Sequence, residues 1–171
     1  MSRIANSAAD ITIQAARRQY LPIISTIVAC LLALLPIVTV SPIVPDIGLL
    51  VLIAWRLLRP ELWTVTTVLP LGMFNDLIVG HPLGQSMALW TILFLAYEIM
   101  DARLVWRDYW MDWFIATLSI IFYTFGAWYI GQLMGSATQF SVMLPQVGLS
   151  ILAFPLIARL VLALDRWRLA R

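Results

Sequence analysis

The sequence lacks lysine, has a single cysteine and a single histidine, and carries few charges. Only 12% of its 171 residues are charged, and all 11 basic residues are arginine. One cysteine excludes a disulfide framework within the chain and a metal site built from cysteines. One histidine without paired cysteines does not favour a zinc or haem centre. We therefore expect no metal and no cofactor.

The few polar residues also bear on partners and on catalysis. The net charge is only +2, and the arginines form no stripe with interleaved aromatic residues. Such a stripe typically follows a phosphate backbone, so we expect no nucleic-acid partner. No nucleophile lies beside a base in the sequence, and no GxSxG or P-loop motif is present. The sequence therefore predicts a protein that is not an enzyme.

Apolar residues dominate the composition. They make up 62% of the chain, with a mean hydropathy of +0.91. An ordinary soluble domain is roughly half apolar, and a membrane-spanning helix needs about 20 apolar residues. The chain has room for about six such helices, so we predict an all-α membrane protein with six transmembrane helices. We place them at about residues 21–40, 42–58, 62–78, 83–100, 113–134 and 143–164.

The arginines predict the orientation and the domain boundaries. With the N-terminus in the cytoplasm, all 11 arginines fall inside, as the positive-inside rule requires. Both termini are then cytoplasmic. Residues 1–19 form a cytoplasmic interfacial segment on the lipid surface, 20–165 the six-helix transmembrane domain, and 166–171 a short basic cytoplasmic tail. The predicted positive-inside anchors are Arg17, Arg18, Arg56, Arg59, Arg103 and Arg107.

The stretch "GMFNDLIVGHPLG", residues 72–84, places a carboxylate, Asp76, at the outer end of the third predicted helix. The helix dipole disfavours a negative charge there, and no arginine is predicted on that side. Gly80 is suited to the positive φ that ends a helix, Pro82 stiffens the turn, and Gly84 permits close approach. The free N–H groups at the start of the fourth helix then point back at Asp76.

Three roles for Asp76 follow from this placement. It is a structural brace that locks the hairpin of the third and fourth helices, a contact for a ligand or partner, or part of a proton relay. We expect the donors of the brace to be the N–H groups around Gln85 and Ser86. A separate pair of small residues, Ala29 and Ala33, has the spacing of a helix–helix contact.

The residues Gly72, Asp76, Gly80, Pro82, Leu83 and Gly84, in a chain of this size and hydropathy, resemble the MreD family of rod shape-determining membrane proteins of bacteria. The resemblance extends to the basic N-terminus, the proline-containing loop at 42–46 and the Arg59–Pro60 junction. It implies a multi-pass protein of the bacterial cytoplasmic (inner) membrane, with the hairpin as the family's signature. It also implies a compact bundle similar to the substrate-binding subunits of energy-coupling-factor transporters.

The same resemblance implies a function and partners. The protein would be a non-enzymatic scaffold of the peptidoglycan elongation machinery that regulates cell shape. Its expected partners are MreC and, directly or through it, RodA, a class B penicillin-binding protein and MreB, together with membrane lipids.

Two other functions stay open on the sequence. The first is the substrate-binding subunit of an energy-coupling-factor vitamin transporter, which Ala29 and Ala33 would suit as a contact with the coupling subunit. A vitamin pocket needs several convergent polar groups, and few polar residues are predicted at the outer side: Asp46, Asn75, Asp76, His81, Gln85 and Gln132. The second is a small-molecule or proton-coupled carrier, which needs charges at mid-depth that the sequence does not supply.

Overall fold

The computed structural model describes residues 8–34, 44–102, 108–136 and 138–169, and every regular element in these ranges is helical. The six α-helices of the described residues are α1 Ala8–Leu31, α2 Ile47–Leu58, α3 Val65–Val79, α4 Gln85–Asp101, α5 Tyr109–Leu133 and α6 Leu144–Leu169. Short 3-10 turns follow α1 at Leu32–Leu34 and precede α3 and α6 at Pro60–Leu62 and Phe140–Met143. The prediction of an all-helical fold is confirmed for the described residues.

The shortest helix, α2, lies at the centre of the bundle. Nine consecutive residues, 48–56, are buried, so every face of this helix is covered. The other five helices form a closed ring around it in the order α1, α3, α4, α5, α6 and back to α1. A helix that is apolar all round belongs in a core. At 1.5 Å per residue, its 12 residues span only about 18 Å, which leaves space at its ends.

Helices that follow each other in the chain run in alternating directions. One end of the bundle gathers the start of α2, the turn after α3 and the start of α6 around Asp46, His81 and Gln146. We call this the outer end, following the predicted orientation. The opposite, inner end gathers the last turns of α2, α4 and α6 through the ion pairs Arg56–Asp101 and Arg59–Asp165.

Two of the helical segments are long and apolar enough to cross a membrane: Tyr109–Leu133 and Phe140–Leu169. Only 33% and 22% of their most apolar stretches are buried inside the protein. The large side chains Trp110, Phe114 and Leu118 of α5 are instead mostly exposed. Such continuous apolar surface is typical of a helix that faces lipid or another protein rather than water.

Some predicted boundaries differ from the observed helices. α1 runs without a break across residue 20, although Pro22 lies inside it. The Ser25 and Thr26 hydroxyls both donate to the Pro22 carbonyl. The predicted interfacial segment at 1–19 thus shares a helix with the first predicted span, and residues 1–7 lie outside the described part. Residues 166–169 of the predicted tail continue α6, where Arg168 is buried.

Four of the six predicted positive-inside anchors lie in the described part of the chain. Arg17 and Arg18 lie on α1, and Arg56 and Arg59 lie at the end of α2. The remaining two anchors, Arg103 and Arg107, lie outside the described residues.

Helices α3 and α4 approach each other backbone to backbone at Gly72. A Cβ atom on Gly72 would lie 2.6 Å from the Cα of Met87 and 2.7 Å from its backbone nitrogen. Both contacts are with backbone, which cannot move aside as a side chain can. Gly72 therefore permits α3 and α4 to pack backbone against backbone and sets the hairpin that carries Asp76.

We expect Gly72→Ala to lower the free energy of unfolding by about 1–3 kcal/mol, the usual cost of overpacking a close contact. Gly148→Ala is the matched control, since a Cβ on Gly148 would meet no atom within 4 Å and this glycine also lies inside a helix. The control should be neutral or stabilising by up to about 1 kcal/mol. Thermal unfolding of both variants in the same detergent measures the difference, and equal transition temperatures would contradict the close contact.

Candidate functional site

The Asp76 carboxylate caps the first turn of α4 from the end of α3. Its Oδ1 accepts the Ser86 N–H at 2.8 Å, and its Oδ2 accepts the Gly84 N–H at 2.9 Å. The first N–H groups of a helix have no partner within the helix, so an acceptor from a neighbour satisfies them. Asp76 is fully buried, and these bonds hold its charge without an arginine. The sequence predicts the N–H groups around Gln85 and Ser86 as donors. The Ser86 N–H is one of the two donors, and the Gly84 N–H is the other.

The turn between the two helices depends on two glycines with positive φ. Gly80 ends α3 at φ 79°, and Gly84 precedes α4 at φ 93°. The Gly80 and His81 N–H groups both donate to the Asp76 carbonyl at 3.0 Å. The sequence predicts close approach at Gly84, but a Cβ there would meet no atom within 4 Å. Gly84 is required for its backbone conformation, and the close approach belongs to Gly72.

Pro82 completes this turn, because its carbonyl accepts the Gln85 N–H at 3.0 Å. The predicted signature residues Asp76, Gly80, Pro82 and Gly84 therefore act together within one hairpin. Asp76 and Pro82 accept hydrogen bonds in the turn, and Gly80 and Gly84 adopt the positive φ values that the turn requires. This geometry supports the brace among the three predicted roles of Asp76.

A chain of buried hydrogen bonds leads from the hairpin to α5. The Asn75 Nδ2 donates to the Ser86 Oγ at 3.1 Å, and that hydroxyl lies 3.0 Å from the Tyr123 hydroxyl. All three side chains are buried. His81 lies beside this network, with its Nδ1 3.9 Å from the Asp76 Oδ1. That distance is too long for a hydrogen bond, so the two groups attract each other only when the imidazole is protonated.

Asp46 provides a second carboxylate at the outer end. It is the N-cap of α2, and its Oδ1 accepts the Leu49 N–H at 3.0 Å. Tyr123, whose hydroxyl lies beside Ser86 of the hairpin, lies at the same end of the bundle as Asp46.

A cavity of about 360 Å³ lies against Asp46, between α1, the start of α2, the turn after α3, α5 and α6. Its polar lining groups include Asp46, His81, Tyr123 and Gln146. The Gln146 Nε2 also donates to the Val44 carbonyl at 3.0 Å, which ties α6 to the start of α2. The predicted contact residues both line this cavity, Ala29 from the buried side of α1 and Ala33 from the exposed 3-10 turn that follows it.

Tyr123 and Gln146 are functional candidates that the sequence does not single out. Both sit within long apolar helices, where the pattern of polar and apolar residues does not tell a lipid-facing side from an inward side. The only signal available was their polarity in otherwise apolar runs, which Ser, Thr and Gln residues elsewhere in α5 and α6 share. Their convergence on Asp46 depends on the packing of helices that are distant in sequence.

The inner end holds a network of ion pairs. Arg56 is buried, pairs with Asp101 at 2.7 Å and lies over the rings of Phe94 and Tyr97. Arg59 and Arg168 both pair with Asp165, at 2.8 Å and 2.7 Å. The hydrogen bond with Asp165 raises the pKa of Arg59, which keeps the guanidinium charged. These arginines connect the end of α2 to α4 and α6.

The chemistry available to these groups is hydrogen bonding and ion pairing. Within residues 8–34, 44–102, 108–136 and 138–169, no three histidine, cysteine, aspartate or glutamate residues are placed to hold a metal ion together. The one cysteine, Cys30, is buried and packs against the start of α2. The outer end of the bundle thus contains two features, the hairpin held by Asp76 and the cavity lined by polar side chains.

We expect Asp76→Leu to lower the thermal stability of the protein in detergent more than Asp76→Asn does. The leucine leaves two buried N–H groups without an acceptor, at a cost of about 1–3 kcal/mol for each. The asparagine keeps one acceptor oxygen and should retain much of the stability. Circular dichroism melts of the two variants measure this order. A Leu variant as stable as the wild type, but without partner binding, would contradict the brace and favour a contact role.

Comparisons with known proteins do not assign the chain to a family. No protein-family model matches the chain, and no curated protein or solved structure matches it either. The resemblance to the MreD family therefore stays a prediction, and it rests on the hairpin residues whose geometry is described above.

Proposed function

We propose that the protein is a non-enzymatic scaffold of the bacterial cell-elongation machinery in the cytoplasmic membrane. The observation that carries the proposal is the hairpin of residues 72–84. Its signature residues, which produce the resemblance to the MreD family, are occupied in fixing two helices against each other. A protein whose most distinctive residues hold helices in place acts through its surfaces.

The arrangement of the helices supports the six-span topology within this proposal. Consecutive helices of the chain alternate in direction, and Arg56, Arg59, Arg166 and Arg168 lie together at the inner end. On the positive-inside rule that end is cytoplasmic. The exposed apolar surface of α5 and α6 supports contact with lipid or with the helices of partners.

The proposed partners are MreC, bound through a transmembrane helix, and, directly or through MreC, RodA, a class B penicillin-binding protein and MreB. By holding these proteins together, the scaffold couples peptidoglycan synthesis to cytoskeletal guidance. The exposed apolar helix faces and the outer hairpin are the surfaces available for such contacts, together with membrane lipids.

A second candidate is the substrate-binding subunit of an energy-coupling-factor vitamin transporter. The cavity at the outer end favours it, because the lining brings Asp46, His81, Tyr123 and Gln146 together. A volume of about 360 Å³ is in the range of small-molecule sites. Partner identification distinguishes the two candidates, since a transporter subunit binds a membrane coupling protein with ATPases and a scaffold does not.

The six-span topology predicts that Ser136, after α5, faces the outside of the cell. In intact cells, Ser136→Cys should react with a membrane-impermeant maleimide. The wild-type chain is the background control, because its only cysteine, Cys30, is buried. Labelling of Ser136→Cys that requires permeabilised cells would contradict the proposed orientation.

The scaffold predicts that a C-terminally tagged chain, purified from its native membrane in mild detergent, retains MreC, with or without the RodA and penicillin-binding protein pair. Mass spectrometry of the bound proteins measures this, and an unrelated tagged multi-pass protein from the same membrane is the control. Recovery of a membrane coupling subunit with ATPases would replace the scaffold by the transporter subunit.

A further inference from the structure

A carboxylate, Asp46, lines the cavity at the outer end, and an unpaired amide oxygen lies behind the cavity wall. Asn75 is fully buried, and its Oδ1 has no hydrogen-bond partner among the described residues. A Cβ on Gly48, a residue of the cavity wall, would lie 2.7 Å from the Cys30 Sγ, 3.3 Å from the Asp46 Oδ1 and 3.4 Å from the Asn75 Oδ1. Gly48 is therefore packed against these side chains, and Asp46 is the carboxylate that reaches the cavity.

The histidine on the cavity wall carries a second unpaired polar atom. The Nδ1 of His81 is buried and has no hydrogen-bond partner within the described part of the chain. A neutral imidazole can use this nitrogen as an acceptor. A buried polar atom without a partner costs free energy, and a ligand or water that supplies the partner recovers it.

The charges of the cavity select against an anion. Asp46 occupies the N-cap of α2, so a carboxylate already takes the position at which a helix would attract a negative ligand. None of the described residues that line the cavity is an arginine or a lysine. The negative charge of Asp46 instead favours a ligand that donates hydrogen bonds and carries a positive charge.

The rest of the cavity wall is apolar, so it favours a ligand that carries an apolar body next to its charged group. Ala29, Leu32, Ala33, Ile47, Val79 and Ala127 contribute small or aliphatic side chains. Small-molecule sites commonly combine such an apolar wall with a few placed polar groups, in volumes of about 300–1,000 Å³. The cavity of about 360 Å³ is at the smaller end of this range.

We propose that this cavity is a binding site for a small organic amine, held by its ammonium group at Asp46 and by its apolar body against α1 and α5. The ammonium donates to the Asp46 carboxylate, which lines the cavity. This site goes beyond the scaffold proposal and is independent of it, since no partner protein contributes to it.

The test uses the purified full chain in detergent and isothermal titration calorimetry. The probes are butylammonium, cyclohexylammonium and benzylammonium, with butyrate, cyclohexanecarboxylate and benzoate as probes of the same shape and opposite charge. Asp46→Asn removes the charge but keeps an N-cap residue of similar preference, and Ala33→Trp fills the cavity from the end of α1. Glu61→Gln, at an exposed acid on the inner end, is the control for loss of a negative charge elsewhere.

We expect the wild type and Glu61→Gln to bind at least one ammonium probe with equal affinity. Asp46→Asn should bind it about tenfold more weakly or worse, as loss of a charge-assisted hydrogen bond implies, and Ala33→Trp should not bind it. If the wild type and all three variants bind the probe with equal affinity, the probe binds to the detergent micelle or to the protein surface, and the proposal is wrong. Tighter binding of the carboxylates, or no binding of any ammonium probe, would overturn it as well. Circular dichroism of both site variants establishes that they are folded before titration.

Discussion

The burial of α2 on every side is the constraint on which the rest of the structure depends. A helix that contacts neither water nor lipid along most of its length must find partners for its polar ends within the protein. Asp46 supplies the acceptor at the start of α2, and Arg56 and Arg59 at its end find carboxylates on α4 and α6. The ring of helices is therefore tied to α2 by ion pairs at the inner end, and at the outer end Gln146 of α6 donates to the Val44 carbonyl just before α2.

Buried hydrogen bonds connect the hairpin of α3 and α4 to α5. Ser86 receives a bond from Asn75 and lies beside Tyr123, while its backbone N–H donates to Asp76. Tyr123 also lines the cavity at the outer end, together with Asp46. The hairpin and the middle of α5 thus share one hydrogen-bond network, and this network borders the cavity at the start of α2. A substitution in the hairpin consequently affects groups that line the cavity.

Local features of this fold could be predicted from the sequence, and long-range ones could not. The capping of α4 by Asp76 and the positive φ of Gly80 follow from a turn of a few residues, in which sequence spacing determines geometry. The backbone contact at Gly72 and the central position of α2 depend on which helices become neighbours. Helices that are apolar on all faces carry no periodic signal for this choice. The pairing of Arg56 with Asp101 also depends on which helices become neighbours, since 45 residues separate the two, so the sequence does not predict it.

The pairing of the arginines at the inner end changes the electrostatics that the folded protein presents to the membrane. Arg56, Arg59 and Arg168 pair with three carboxylates, those of Asp101, Glu61 and Asp165, so their charge is balanced within the protein. A free arginine near an anionic leaflet contributes about 1 kcal/mol of attraction. On the six-span proposal, these three residues act as orienting charges while the nascent chain inserts and as internal connections after it folds. Once the protein is folded, attraction to anionic lipids therefore depends on the arginines outside this network.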